Sequence, residues 1–349
     1  MGAEPALKAE LARLHADWHF AFSRPGFLTF KLPLGADASD VGGGQLVFAR
    51  SWGTSLGKAT AADDAERAQA LWQLVDGRSF DRLHVWPRDT LAVGQRGFEP
   101  AVTPAAREVA QQLIASAPQA LFKTGATAAT EARPGENVLD VVIVEPNEWW
   151  IGTHRAQHKA ACWPGGIFDE LLPESAVSRA YLKMRESLAW SNFPLRHGDA
   201  WTELGCAPGG ASQALLERGA HVLGVDPAEV DPRVATHANF SHLKMRGADV
   251  RRRTFRGIRY LAADLNVAPE LTLATVEDIV THSSVEITGV LLTLKLLEWS
   301  LANNIPEYLA RVRGWGYPDV RARQLSHNRQ EFCVAALRPP QRRRIRRKD

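Results

Sequence analysis

From about Ser178 onward, short apolar segments alternate with helix-forming ones, and that order restricts the carboxyl-terminal half to a largely parallel sheet with helices on both faces. SRAYLKMRESLAW reads as a helix, AWTEL as a strand, GCAPGG as a turn, ASQALLERG as a helix and HVLGVD as a strand. Beyond them come the strand IRYLAAD, a helix near 271–281, the strand VEITGVLLTLK and a helix near 300–313. The chain then closes with DVRARQL and EFCVAAL, joined by SHNRQ, which are expected to form one antiparallel edge.

The amino-terminal half has a different pattern. Residues 4–18 read as a helix, HFAFSR and FLTFKL as two strands broken at Pro25-Gly26, and GADASDVGGG as a loop. After the apolar run LVFAR, helices are expected near 63–75 and 104–117, with strands at RLHVWPR and VLDVVIV, a mixture that fits an α+β domain. The chain has 349 residues, enough for two domains with buried cores, and the boundary is expected between 165 and 178. The resulting division is 1–170, 171–337 and a tail over 338–349.

Composition excludes several classes. At 45% hydrophobic and 23% charged the chain is typical of a globular protein. Cys162, Cys206 and Cys333 lie far apart with no CxxC pair, which argues against a disulfide framework or a multi-cysteine zinc module and fits a reducing cytoplasm. The first twenty residues are charged and no stretch approaches the length of a membrane span, so neither secretion nor membrane insertion is expected. The net charge of +3 conceals an asymmetry. Residues 338–349 hold seven Lys or Arg and one Asp, leaving 35 basic against 38 acidic groups elsewhere. Such a tail is expected to be disordered and to attract a polyanion, with nucleic acid the favoured partner and a merely solubilising role the alternative.

Thr202–Gly210, TELGCAPGG, ends a strand and opens a helix, where glycines let the backbone turn tightly and free amides face a ligand. Alone this fits a structural turn equally well. The next strand ends in Asp226, sixteen residues after Gly210, where an acid can accept hydrogen bonds from both hydroxyls of a ribose. No GK[ST] follows the glycines, which counts against nucleoside triphosphate hydrolysis. A glycine turn without a phosphate clamp, followed by a ribose acid, suits S-adenosylmethionine.

Lys183, Asp264, Lys295 and Glu331 stand at strand ends or on the flanking helix, and ligands of parallel sheets sit at the carboxyl ends of strands. Each alone could be a surface charge. Lys295, in an apolar run, must be paired or have its charge suppressed. In these residues the chain resembles the FtsJ-like ribose 2′-O-methyltransferases, which carry a Lys ahead of the sheet, an [DE]LGxxPGG turn, an acid after the second strand, and then Asp, Lys and Glu in this order. Its segments SRAYLK, TLKL and QLSHNRQE resemble SR-x-x-LK, NLKL and QL-x-H-x-R-x-E of the branch that methylates large-subunit ribosomal RNA, with Thr293 in place of the Asn. The resemblance covers about 178–337.

The resemblance implies a Rossmann-like domain with a mostly parallel seven-stranded sheet, and S-adenosylmethionine contacts from Gly205, Ala207, Pro208, Gly209, Gly210, Asp226, Asp249 at the adenine, and Asp264. It implies catalytic roles for Lys183, Asp264, Lys295 and Glu331, with Lys295 removing the ribose proton. Glu203 stands where the family commonly has Asp, Ala211 where it often has Trp, and Ala180 where the large-subunit branch has Ser. A weaker likeness of LVFARSW and VVIVEPNEWWIGTHR to a THUMP-like module implies an RNA-binding amino-terminal domain. The expected function is methylation of a cytidine of large-subunit ribosomal RNA. Another RNA target, such as transfer RNA or a messenger cap, or an inactive RNA-binding scaffold, are the alternatives.

Three further features carry less. His154, His158 and Cys162 share a four-residue spacing and could face one way on a helix as metal ligands, but Pro164 and Gly165 break the segment, and no metal is expected. Arg251, Arg252, Arg253, Arg256 and Arg259 form a basic run that fits either a solvated loop or contacts to an RNA backbone. Among eleven tryptophans, Trp149 and Trp150 are the expected exposed pair.

Overall fold

The structure is a computed structural model that describes residues 2–36, 46–123 and 131–339. Most of the expected GADASDVGGG loop and nearly all of the basic tail lie outside the described residues. The chain divides into two compact units, Met1–Leu171 with Arg323–Phe332, and Leu172–Ala322 with Cys333–Asp349.

In the first unit, α1 (Glu4–Leu14) precedes the antiparallel hairpin β1 (His19–Arg24) and β2 (Phe27–Lys31). The helix ends at Leu14, four residues short of the sequence expectation. Next come β3 (Thr54–Thr60), α2 (Asp64–Leu74), β4 (Arg82–Pro87), α3 (Pro104–Ser116), β5 (Asn137–Glu145) and β6 (Glu148–Arg155). Asp63 and Thr103 cap α2 and α3 by accepting from the amides of Glu66 and Ala106, which fixes both starts where the sequence places them. The sheet order is β3-β6-β5-β4, antiparallel except for β4 beside β5. Alternate residues Leu83 and Val85, Leu139 and Val141, and Trp149 and Ile151 join Leu71, Ala110 and Leu113 of the helices in one core. Trp149 is therefore interior, contrary to expectation. Trp150, on the other face, is only partly exposed and stacks on Phe22 at 5.3 Å.

The second unit contains α4 (Ala180–Ser191), β7 (Ala200–Leu204), α5 (Gly210–Leu216), β8 (His221–Val225), α6 (Pro232–Ala235), β9 (Phe240–Leu243), β10 (Tyr260–Ala263), α7 (Pro269–Val280), β11 (Gly289–Lys295), α8 (Ile305–Gly314), β12 (Asp319–Arg323) and β13 (Glu331–Leu337). The sheet order is β12-β13-β11-β10-β7-β8-β9, with the five strands from β11 to β9 all parallel. Strand β10 is buried along its whole length, as a strand covered on both faces must be, and its run YLAA has no alternation. From β7 the chain winds outward through β8 to β9, then returns to place β10 on the other side of β7. The carboxyl ends of β7 and β10 thus flank the reversal of strand order, where open α/β sheets hold ligands. Among the described residues no helix is long and apolar enough to cross a membrane.

Candidate active site

The glycine turn joins β7 to α5. Gly205 has φ +80°, and a side chain there would come within 2.6 Å of the Asp264 carbonyl oxygen, so glycine meets both a backbone and a packing requirement. Gly209 has φ +120°. Gly210 lets α5 approach the start of α4, since a Cβ would lie 2.9 Å from the Ser178 carbonyl oxygen just before that helix and 3.1 Å from the Tyr181 amide nitrogen within it. Substituting Gly205→Ala is expected to destabilise the unit by about 1–3 kcal/mol, read as a lowered midpoint in chemical unfolding. An unchanged midpoint would contradict the conformational argument.

Asp226 follows β8 and organises this turn. Its Oδ2 accepts from the Ala207 amide at 3.1 Å and its Oδ1 from the Ala228 amide at 2.8 Å. Each carboxylate oxygen keeps further acceptor capacity, so these bonds orient the group while leaving it able to take hydroxyls. Asp249 lies exposed in a 3-10 turn, Gly247–Asp249.

Asp264 follows β10 directly, Lys295 is the last residue of the adjacent β11, and Lys183 lies on α4. The Lys183 Nζ donates to Asp264 Oδ2 at 2.6 Å, and the Lys295 Nζ sits 2.7 Å from Oδ1. All three side chains are at most 23% exposed. Burial alone pushes the Asp264 carboxyl up, yet the two ammonium groups outweigh it and hold the acid below its ordinary value. The expectation that a lysine in the β11 run needs a partner is met by pairing. Ser187, one helical turn after Lys183, donates to the Lys183 carbonyl oxygen at 2.7 Å. A small pocket lies here, where small residues such as Ala180, Ala211 and Ala263 leave room beside Lys183, Asp264 and Glu203. Glu331 opens β13, is 5% exposed, and accepts from the Asn328 side-chain amide at 3.4 Å. It belongs to the segment grouped with the first unit.

Glu203 adds a feature the sequence did not signal. Burial pushes its carboxyl up to about 8; the Ser212 hydroxyl opposes this, and the Asp264 and Asp226 carboxylates reinforce it. A neutral acid therefore sits under the turn at physiological pH. Because the folded value lies above the unfolded one, the stability it contributes is whole below about pH 4.5 and is lost as pH rises to about 8. Glu203→Gln is expected to flatten this part of the stability profile, worth at most ~5 kcal/mol. Thermal unfolding of both proteins at pH 5 and pH 8 checks it, and parallel profiles would refute it.

The glycine turn itself offers no cationic clamp for phosphates. Acids stand at Asp226 and Asp264, and TELGCAPGG contains no Lys or Arg. Two of the five arginines after Asp249 are used internally. Arg252 pairs with Asp278, and Arg259 with Asp199 at 2.9 Å, whereas Arg251, Arg253 and Arg256 are exposed.

Residues 176–309 match the FtsJ-like methyltransferase family. A ribosomal RNA large subunit methyltransferase M from Alkalilimnicola ehrlichii is 32% identical over 186 residues, covering 51% of this chain and 50% of that protein. The protein of that name from Azoarcus is 27% identical over 210 residues, covering 58% of this chain and 57% of its own length. The one from Thauera aminoaromatica is 24% identical over 313 residues, covering 86% and 82%. In the first two matches the chain spans only about half of the relative's length. The likeness to the FtsJ-like methyltransferases spans residues 176–309.

Proposed function

We propose that the protein is an S-adenosylmethionine-dependent ribose 2′-O-methyltransferase acting on RNA, with a nucleotide of large-subunit ribosomal RNA, a cytidine by resemblance, as its target. The observation that carries this reading is the pair of lysines on one carboxylate, at 2.6 and 2.7 Å, at the end of β10 beside the glycine turn. S-adenosylmethionine supplies an electrophilic methyl carbon on a cationic sulfur. The turn from Gly205 to Gly210 and Asp226 would hold its nucleoside, with Asp249 assigned to the adenine and Asp264 to its methyl-bearing end.

Methyl transfer to an alcohol needs no covalent enzyme intermediate. It needs alignment of acceptor oxygen with methyl carbon and removal of one proton. Lys295 takes the 2′-hydroxyl proton onto its Nζ, and Asp264 holds that nitrogen in place. Lys183 and Glu331 position the hydroxyl and balance charge. The exposed Arg251, Arg253 and Arg256 favour contact with an RNA backbone, and the first unit takes the part of the THUMP-like RNA-binding module. Three buried free thiols suit a reducing cytoplasm.

Mapping 2′-O-methylated positions in total RNA with and without the gene tests the assignment. A single mark missing from the large ribosomal RNA is expected. A mark missing from transfer RNA or a messenger cap would reassign the target, and an unchanged map would remove the enzymatic reading.

A further inference from the structure

The face of the first unit's sheet opposite its apolar core carries a buried group of ionisable side chains that methyl transfer does not use. His84 on β4 is in register with Asp140 on β5. Asp140 is in register with Gly152 on β6, so His154, two residues further on, emerges on the same face. The three are at most 7% exposed. The His154 Nδ1 lies 2.5 Å from Asp140 Oδ2, and the His84 Nδ1 lies 4.0 Å from Oδ1. Asp140 Oδ1 has no hydrogen-bond partner among the described residues. One donor atom from each residue falls within a 4.8 Å span.

Such a group is expensive to bury. A carboxylate and two imidazoles taken out of water cost several kcal/mol unless charge and hydrogen bonds compensate them. His154 is already oriented as a ligand: its Nε2 is 2.8 Å from the Ala161 carbonyl oxygen, which directs Nδ1 at Asp140. Backbone-carbonyl anchoring of the distal ring nitrogen is the usual outer support of a metal-bound histidine. The sequence pattern misassigned this histidine. His154 lies on a strand, not a helix, His158 caps the 3-10 turn Lys159–Cys162, and the partners of His154 come from 14 and 70 positions upstream.

We propose that His84, Asp140 and His154 form a structural site for one divalent transition-metal ion of zinc-like preference. Two nitrogens and a carboxylate able to give one or both oxygens make a borderline donor set, and the burial of all three side chains favours a structural role over a hydrolytic one. Two ligands at about 2.1 Å from a tetrahedral ion lie roughly 3.3 Å apart, so the shorter contact opens and the longer one closes around it. The ion supplies the positive charge the carboxylate needs and ties β4, β5 and β6 together.

The test uses the full chain, purified without a histidine tag from zinc-supplemented medium. Elemental analysis is expected to find about one zinc per chain. Cobalt loading is expected to produce the intense visible bands of a tetrahedral ion. Chelation should lower the melting temperature by several degrees, and added zinc should restore it. His84→Ala and Asp140→Asn are expected to lose the metal and the cobalt bands. If either variant fails to fold, the wild-type measurements decide alone. Wild-type protein with under about a tenth of an equivalent, no cobalt bands and no melting shift with zinc would overturn the proposal. Undiminished metal in a folded His84→Ala variant would do the same, by placing the ion elsewhere.

Discussion

Replacing Lys295→Ala is expected to lower the rate of methyl transfer by about 10²–10⁴-fold, the usual worth of a positioned general base, while S-adenosylmethionine still binds with nearly normal affinity. The expectation follows from charge. Lys183, Lys295 and Asp264 together carry one surplus positive charge when both amines are protonated, and a sulfonium ligand adds another. A base at this position accepts the ribose proton as a neutral amine, and an alanine there offers no group to do so. Lys183→Ala leaves Lys295 on its carboxylate, so its loss of rate is expected to be smaller, as is that of Glu331→Ala. Single-turnover rates beside calorimetric titration of the cofactor check the ranking. Near-normal transfer by a Lys295→Ala protein that binds cofactor would remove Lys295 from the chemistry.

Asp264→Asn is expected to cost about 3–5 kcal/mol, since removing one member of a buried ion cluster strands the others. The two ammonium groups would then face each other with only a neutral amide between them. At about 2–4 °C per kcal/mol for a domain of this size, the melting temperature should fall by roughly 10 °C near neutral pH. The sign of the pH dependence is fixed by the depressed acidity of Asp264. Its contribution is whole above the unfolded carboxyl value of about 3.9 and is lost as pH falls through the lower folded value. The stability difference between wild type and variant should therefore hold from pH 8 to about 4 and narrow below that range. A variant that melts with the wild type at pH 7 would show that the cluster contributes nothing to the fold.

The methyltransferase half was legible because its elements are local and strongly patterned. AWTEL and EFCVAAL coincide with β7 and β13, and HVLGVD contains β8. Strand β6, EWWIGTHR, escaped although it is long and partly apolar, and the other strands that escaped are short or polar. Strand β9, FSHL, spans four residues and has one fully buried side chain, and β3, TSLGKAT, is an edge strand with one. Neither presents the apolar alternation that sequence reading relies on. The long reading VEITGVLLTLK overran, since only Gly289–Lys295 is strand.

In the site, the residue types at strand ends located Lys183, Asp264 and Lys295, but nothing in the spacing said that one carboxylate would take both amines, one on each oxygen. That arrangement depends on parallel register between β10 and β11 and on the close approach of α4. The unusual state of Glu203 depends on burial, which a strand residue beside a turn does not announce. The grouping of His84 with Asp140 and His154 is likewise a product of register across three strands. Helical spacing instead singled out His154, His158 and Cys162.

The most direct test of the account is nucleoside analysis of RNA incubated with purified protein and isotopically labelled S-adenosylmethionine. Mass spectrometry of the digested RNA should find the label in a 2′-O-methylated nucleoside, and Lys295→Ala protein should deposit almost none. Label on a nucleobase, or equal labelling by the two proteins, would contradict the assignment of Lys295 as the group that deprotonates the ribose.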